Sequence, residues 1–233
     1  MKGLRCLIVL SMLFVLAACG AKEEPMGAKE LKLQVGDLKK LLIDNKNGEI
    51  EIVGNTDSDV IQVTAHVSSN HINKDKLKLD LQGREDTAYL DASFKGQFLS
   101  MGSGSVNLQI KVPKHLQLEI KSHKDGNIRV SDMSSEVKID NVNGNIDVLN
   151  TKGPLNINSR DGDLNLHDIT SDIEIDNING HIKVAHVDGS AVIDVGDGTL
   201  DIDHVGKDAM ITQSGNGKIK IGDVKGTVTQ KTK

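Results

Sequence analysis

A chain of 233 residues has room for one or two domains, and its formal charge of −5 comes from 28 basic and 33 acidic residues that are interspersed without a basic patch. Nucleic acid is therefore not an expected partner, because phosphate binding needs clustered Lys and Arg. Trp is absent and only one Tyr and three Phe occur, which speaks against aromatic interface anchors and single-strand stacking platforms.

The first segment reads as a processing signal. Lys2 and Arg5 precede an apolar run from Leu7 to Ala18, broken only by Ser11. That is the layout of a secretory signal peptide, and the run is too short to span a bilayer as a helix. Leu16-Ala17-Ala18-Cys19 resembles the lipobox of bacterial lipoproteins, which implies cleavage before Cys19 and acylation of Cys19 as the new N-terminus. Cys6 would leave with the signal, so the exported chain holds one cysteine and no disulfide. Two or more acyl chains, at about 0.8 kcal/mol per buried methylene, make a lasting anchor. Gly20 to about Glu30 has no periodicity and reads as a flexible tether. The same resemblance implies the outer membrane in a two-membrane cell, because Gly20 and Ala21, not Asp, follow the cysteine. The expected layout is a signal peptide over 1–18, a lipidated tether over 19–30, a first rung with capping strands over 31–118, and regular repeats over 119–233.

Leu42, Asp44, Asn47-Gly48, Ile50, Ile52 and Gly54 form an isolated copy of a unit that returns later. Val60 to Val67, Leu77 to Leu81 and Val106 to Val112 then alternate as strands. They predict an inserted antiparallel sheet that caps one end. Gly96 to Ser105, rich in Gly and Ser, predicts a loop.

From residue 120 onward the chain repeats. Gly126, Gly144, Gly162, Gly180, Gly198 and Gly217 fall at intervals of 18, 18, 18, 18 and 19, each preceded by Asp or Asn. Aliphatic pairs follow each glycine, as in Ile146/Val148 and Ile182/Val184, and others precede it, as in Val137/Ile139 and Ile173/Ile175. Ile169, Val187, Val205 and Val224 add a position seven residues after the glycine. Each unit offers about five inward aliphatics, worth about 10 kcal/mol of burial against about 18–36 kcal/mol of backbone ordering. One unit alone cannot persist, so the copies must stack. Asn-Gly between alternating runs is also a hairpin signal, which fits an antiparallel meander. A meander has no need for identical lengths in both connections, whereas a solenoid rung does. The pattern therefore predicts an all-β, single-chain β-solenoid of about 18 residues per rung, with Gly48 and the six later glycines as structural turn residues.

The early Asn47-Gly48-Glu49-Ile50 rung, an intervening sheet, a strand ending Val112-Pro113-Lys114 and serial Asn/Asp-Gly-x-Ile-x-Val units together resemble the bacterial adhesin-like domain family, a domain of unknown function. The resemblance covers about residues 40–228. It implies a β-solenoid and brings no catalytic residues with it.

Two outward stripes are candidate ion sites. Asp132, Asn150, Asp168, His186, His204 and Asp223 lie six residues after each glycine, and in a solenoid His186 and His204 would stack about 4.8 Å apart with Asp168 beneath. Imidazole and carboxylate together suit a transition metal, but a solvated polar stripe at a bend is the plainer reading. Asp140, Asn158, Asp176 and Asp194 offer oxygen ligands for calcium, yet the calcium-binding Gly-Gly-x-Gly-x-Asp repeat is absent. Asn141, Ser159 and Asn177 fall where inward residues are due and predict a buried hydrogen-bond ladder. Ser122, His123 and Asp125 lack the strained turn that presents a nucleophile. No catalytic residue and no cofactor are expected.

The expectation is a non-enzymatic, lipid-anchored envelope protein on the exported side of the cell or outer membrane. It would present solenoid faces to another envelope or surface protein or a glycan. Two alternatives remain. One is a carbohydrate-binding or polysaccharide-degrading solenoid, for which Tyr89, Phe94 and Phe98 are the available aromatic wall. The other is a module that associates with itself.

Overall fold

The computed structural model describes residues 24–55, 58–70, 74–95 and 103–233. Among them there is no α-helix, one 3-10 turn at Lys74–Lys76, and a β-solenoid with about 18 residues per rung. The signal peptide, Cys19 and Phe98 lie outside the described residues.

A rung consists of two strands joined by the Asn/Asp-Gly corner. β2 (Lys40–Asn45) and β3 (Ile50–Asn55) make the first, and β8 (Gln117–His123) and β9 (Ile128–Ser131) the next. β10 (Val137–Asn143) with β11 (Ile146–Thr151), and β12 (Leu155–Asp161) with β13 (Leu164–Ile169), continue the stack. In β14 (Ile173–Val187) and β15 (Ala191–Val205) strand pairing runs unbroken through the corner. β16 (Ala209–Gln213), β17 (Gly217–Ile221) and β18 (Val228–Thr232) finish it.

The two strands of a rung do not pair with each other; each pairs in parallel with the equivalent strand of the neighbouring rung. Asn-Gly here turns the chain from one sheet to the other, so the hairpin alternative does not hold. Register is strict: Val137 pairs with Leu155, Leu155 with Ile173, and Ile173 with Ala191. Alternation points Val137, Ile139, Ile146 and Val148 inward, each 1% exposed or less, while Lys138 faces solvent. At the far corner Met133, Thr151, Ile169, Val187 and Val205 form a buried column. Thr151 is its one polar member, and the Oγ1 of this residue has no hydrogen-bond partner.

The glycines are required twice over. Gly48, Gly126, Gly144, Gly162 and Gly180 have φ between +121° and +132°, a region essentially closed to side chains. A Cβ on Gly162 would also lie 2.2 Å from the Gly144 carbonyl oxygen one rung away. Gly198 and Gly217 need only the second reason: a Cβ there would meet the preceding glycine's oxygen at 2.0 and 1.5 Å. Beside this column the preceding residues alternate Asp125, Asn143, Asp161, Asn179, Asp197, Asn216. Asn143 Nδ2 donates to Asp125 Oδ1 at 2.9 Å and Asn179 Nδ2 to Asp161 Oδ1 at 2.7 Å. Alternation places an amide between carboxylates that would otherwise repel at strand spacing.

The cap is antiparallel within itself, as expected, and covers the end of the stack on the first rung. β4 (Val60–Asn70) pairs antiparallel with β7 (Ser103–Pro113), and β5 (Leu77–Arg84) with β6 (Thr87–Phe94). β6 and β7 then lie parallel on β2 and β3, extending the stack by one irregular layer. The tether reading needs correction at its C-terminal end. Glu24 to Glu30 belongs to β1 (Glu24–Gln34), which pairs antiparallel with β4 and covers its open edge. Ser103 to Ser105 of the expected loop is likewise strand, while 96–102 lies outside the described residues.

Candidate functional site

The outward stripe six residues past each glycine has a backbone cause. Asp132, Asn150, Asp168, His186 and His204 all adopt left-handed φ, between 51° and 62°. Among non-glycine residues, Asn, Asp and His enter this region most readily. A conformational demand thus fills the column with polar, potentially ligating side chains and aims them outward together. Asn150 Nδ2 donates to Asp132 Oδ1 at 2.5 Å. The rings of His186 and His204 stack at 4.8 Å with an interplanar angle of 14°, the spacing read from the repeat.

The structure adds His167 to this group. In β13, as in β11, the left-handed residue lets two successive side chains face outward, here His167 and Asp168. The carboxylate of Asp168 lies 2.7 Å from His167 Nδ1 and 3.9 Å from His186 Nδ1. The His167 and His186 rings are 4.9 Å apart and tilted by 58°. One rung on, Asp203 Oδ2 sits 2.7 Å from His204 Nδ1. The backbone N–H of Asp223, with lesser help from His204, holds the Asp203 carboxyl below its ordinary range. Among the described residues, His167, Asp168 and His186 are the group whose ligand atoms converge, all within 4.8 Å of one another. His204 is adjacent but outside that convergence.

The second stripe behaves differently. Asp140, Asn158, Asp176 and Asp194 are in register, and Asp194 is engaged by Ser214 and Lys233 at 3.3 and 3.1 Å. These carboxylates do not converge on a common point.

The inward polar column is longer than the sequence reading had it: Asn45 and His123 join Asn141, Ser159 and Asn177, all 6% exposed or less. Only part of it is a ladder. Asn141 Nδ2 reaches Ser159 Oγ at 3.5 Å, but its better bond is to the Gly144 carbonyl at 3.1 Å, and Asn177 Nδ2 donates to the Asn179 carbonyl at 3.1 Å. Its main role is to satisfy corner carbonyls. His123 Nδ1 lies 2.7 Å from the Asn45 carbonyl and Nε2 3.2 Å from that of Gly126. Burial pushes this imidazole down from its ordinary value, opposed by those carbonyls. Ser122 faces solvent while His123 faces the core, so no nucleophile–base pair exists there. Of the aromatics, Phe94 is buried against Gly104 and Tyr89 lies on the opposite face of β6 beneath the Arg84 guanidinium. These two form no common wall.

With the fold in place, comparison with known proteins is decisive on lineage. The Toastrack DUF4097 family profile matches residues 38–232. The chain belongs to this family. Several solved structures are similar to the chain over most of its length at low identity. A provisionally named cell adhesion protein from Clostridium sporogenes is 14% identical, with 90% of this chain and 100% of that one covered and a TM-score of 0.37. A provisionally named adhesin from Bacteroides fragilis is 15% identical, covering 89% and 98% at a TM-score of 0.40. One from Parabacteroides merdae is 14% identical, covering 88% and 94% at 0.39. No protein of curated function matches the chain.

Proposed function

We propose that this Toastrack chain is a lipid-anchored cell-envelope protein, sited on the exported side of the cell or outer membrane, that presents its solenoid faces to an envelope or surface partner and catalyses no reaction. The observation that carries this reading is the surface of the stack. One outward column includes exposed Val192 and Met210, while another is an in-register polar row of Glu51, Arg129, Asp147, Asn165 and Lys183. Their charges are compensated along the axis, as by Arg129 with Asp147 at 3.2 Å and Lys220 with Asp201 at 3.1 Å. Rows of this kind suit a broad, weakly charged contact. The buried His123 and the absence of an aromatic wall from Tyr89 and Phe94 weigh against polysaccharide cleavage. The signal and lipobox pattern before Gly20 supports the anchor.

Two experiments separate the parts of this reading. Cys19→Ser is expected to move the protein from the membrane fraction to the soluble exported fraction, and unchanged membrane partitioning would remove the anchor. A photo-crosslinking residue at Asn165 or Lys183, in intact cells, is expected to capture a discrete envelope partner. Capture of nothing, or of the chain alone, would remove the partner-binding role.

A further inference from the structure

We infer that the corner formed by β13 and β14 is a surface site for one divalent transition-metal ion, with His167, Asp168 and His186 as its ligands. The left-handed column explains why Asp168, His186 and His204 are polar. It does not explain His167. The equivalent position in the other regular rungs holds Ser131, Leu149, Ala185 and Asp203, so no backbone demand calls for histidine there.

Geometry selects these three. Metal–nitrogen bonds of about 2.0–2.1 Å and metal–oxygen bonds of about 2.0–2.2 Å put tetrahedral ligand atoms roughly 3.3 Å apart. Ligand atoms already within 4.8 Å reach that spacing by small rotations of side chains that are about half exposed. The 58° tilt between His167 and His186 lets ring nitrogens converge. The near-parallel His186 and His204 rings aim theirs side by side, so His204 flanks the site without closing it.

The stems are held in advance. Asp168 and His186 share the same φ of 58° at equivalent positions of adjacent rungs, so their side chains leave the stack in one direction. Ala185, paired with His167 across the rungs and with Asp203 beyond, keeps the space beside His186 free of a long side chain. Asp203 adds negative charge near a bound cation. Two imidazoles and one carboxylate favour Zn²⁺, Ni²⁺ or Cu²⁺ over Ca²⁺ and Mg²⁺, which prefer oxygen ligands alone. Three protein ligands leave a coordination position for water or for a donor from another molecule.

The test uses tag-free full-length chain carrying Cys6→Ser and Cys19→Ser, which removes both competing thiols. Titration calorimetry with Zn²⁺ is expected to show one saturable site per chain, and the electron paramagnetic resonance spectrum with Cu²⁺ to show coupling to two imidazole nitrogens. His167→Asn and His186→Asn should each weaken Zn²⁺ binding by about tenfold or more, with His204→Asn changing it less than threefold. Asn occupies the same left-handed position at Asn150, so His186→Asn should fold, and circular dichroism checks this. Absence of a one-to-one site, fewer than two coupled nitrogens, or unchanged affinity in His167→Asn would each overturn the assignment. His167→Gln serves as a second variant should His167→Asn misfold, and unchanged Zn²⁺ affinity in it would equally overturn the assignment.

Discussion

Gly162→Ala should destabilise the stack far more than an ordinary glycine substitution. The new methyl group would lie 2.2 Å from the Gly144 oxygen and 2.7 Å from its carbon, on a residue with φ of +132°. The dihedral alone costs about 1–3 kcal/mol. Relieving the contact means opening the rungs by about 1 Å, since a carbon–oxygen contact needs roughly 3.2 Å. That displacement strains the flanking bonds from Gly144 N to Asp161 O, 3.1 Å, and from Gly162 N to Asn179 O, 3.2 Å, each worth about 1 kcal/mol. The sum is about 3–5 kcal/mol, and at about 2–4 °C per kcal/mol for a chain of this size the melting temperature should fall by about 6–20 °C. Gly36→Ala is the control. Its φ is also positive, +52°, but a Cβ there meets nothing within 4 Å, so a loss of about 1 kcal/mol is expected. Thermal unfolding followed by circular dichroism compares the two. If Gly162→Ala loses no more than Gly36→Ala, close rung contact is not what the glycine column serves.

Two further outcomes follow from the polar columns. Asn179→Asp would place carboxylates at 161, 179 and 197 in successive rungs, and should lower stability by about 1–3 kcal/mol at low salt, recovering partly in 1 M salt, where screening reaches about 3 Å. An unchanged melting temperature, or a loss indifferent to salt, would show that the alternation has no electrostatic role. His123 carries a depressed pKa in the folded state, so below about pH 6.5 the unfolded chain takes up a proton that the folded chain resists. Its contribution is complete above that pH and declines as pH falls toward the folded value. His123→Asn, which copies the residue at Asn141, should flatten the fall in denaturant stability between pH 7 and 5. Parallel pH curves for the two proteins would refute the lowered pKa of His123.

The solenoid was legible because its determinants are local and periodic. A glycine, an adjoining Asx and inward aliphatics recur every 18 residues, and parallel stacking brings like onto like. The seat of the cap was not legible. β6 presents Ala88, Leu90, Ala92 and Phe94 inward, two of them only alanines, and nothing periodic relates it to β2, which it joins across more than 40 residues. β1 was missed from Glu24 to Glu30 because an edge strand forms by backbone pairing with β4, with few apolar side chains to announce it. The histidine stripe could be seen as composition, but its left-handed backbone could not. His167 occupies a periodic outward position, but Ser131, Leu149, Ala185 and Asp203 fill it in neighbouring rungs, so no repeated residue type draws the eye to it. The left-handed φ at Asp168, common to the column, leaves both side chains outward and side by side. Attachment through Cys19 rests on a sequence pattern before the described residues.

Rung stacking itself can be measured by disulfide mapping in a background with Cys6 and Cys19 replaced by Ser. Asn165 and Lys183 face solvent and pair in register on adjacent rungs. At a strand spacing of about 4.8 Å they fall within the range a disulfide bridges, whereas Asn165 and Asp201, two rungs apart, lie at roughly twice that and cannot be bridged. Oxidation of Asn165→Cys/Lys183→Cys should give an intramolecular crosslink, and Asn165→Cys/Asp201→Cys should remain reduced. Bridging of the distant pair together with failure of the near one would contradict an 18-residue parallel stack.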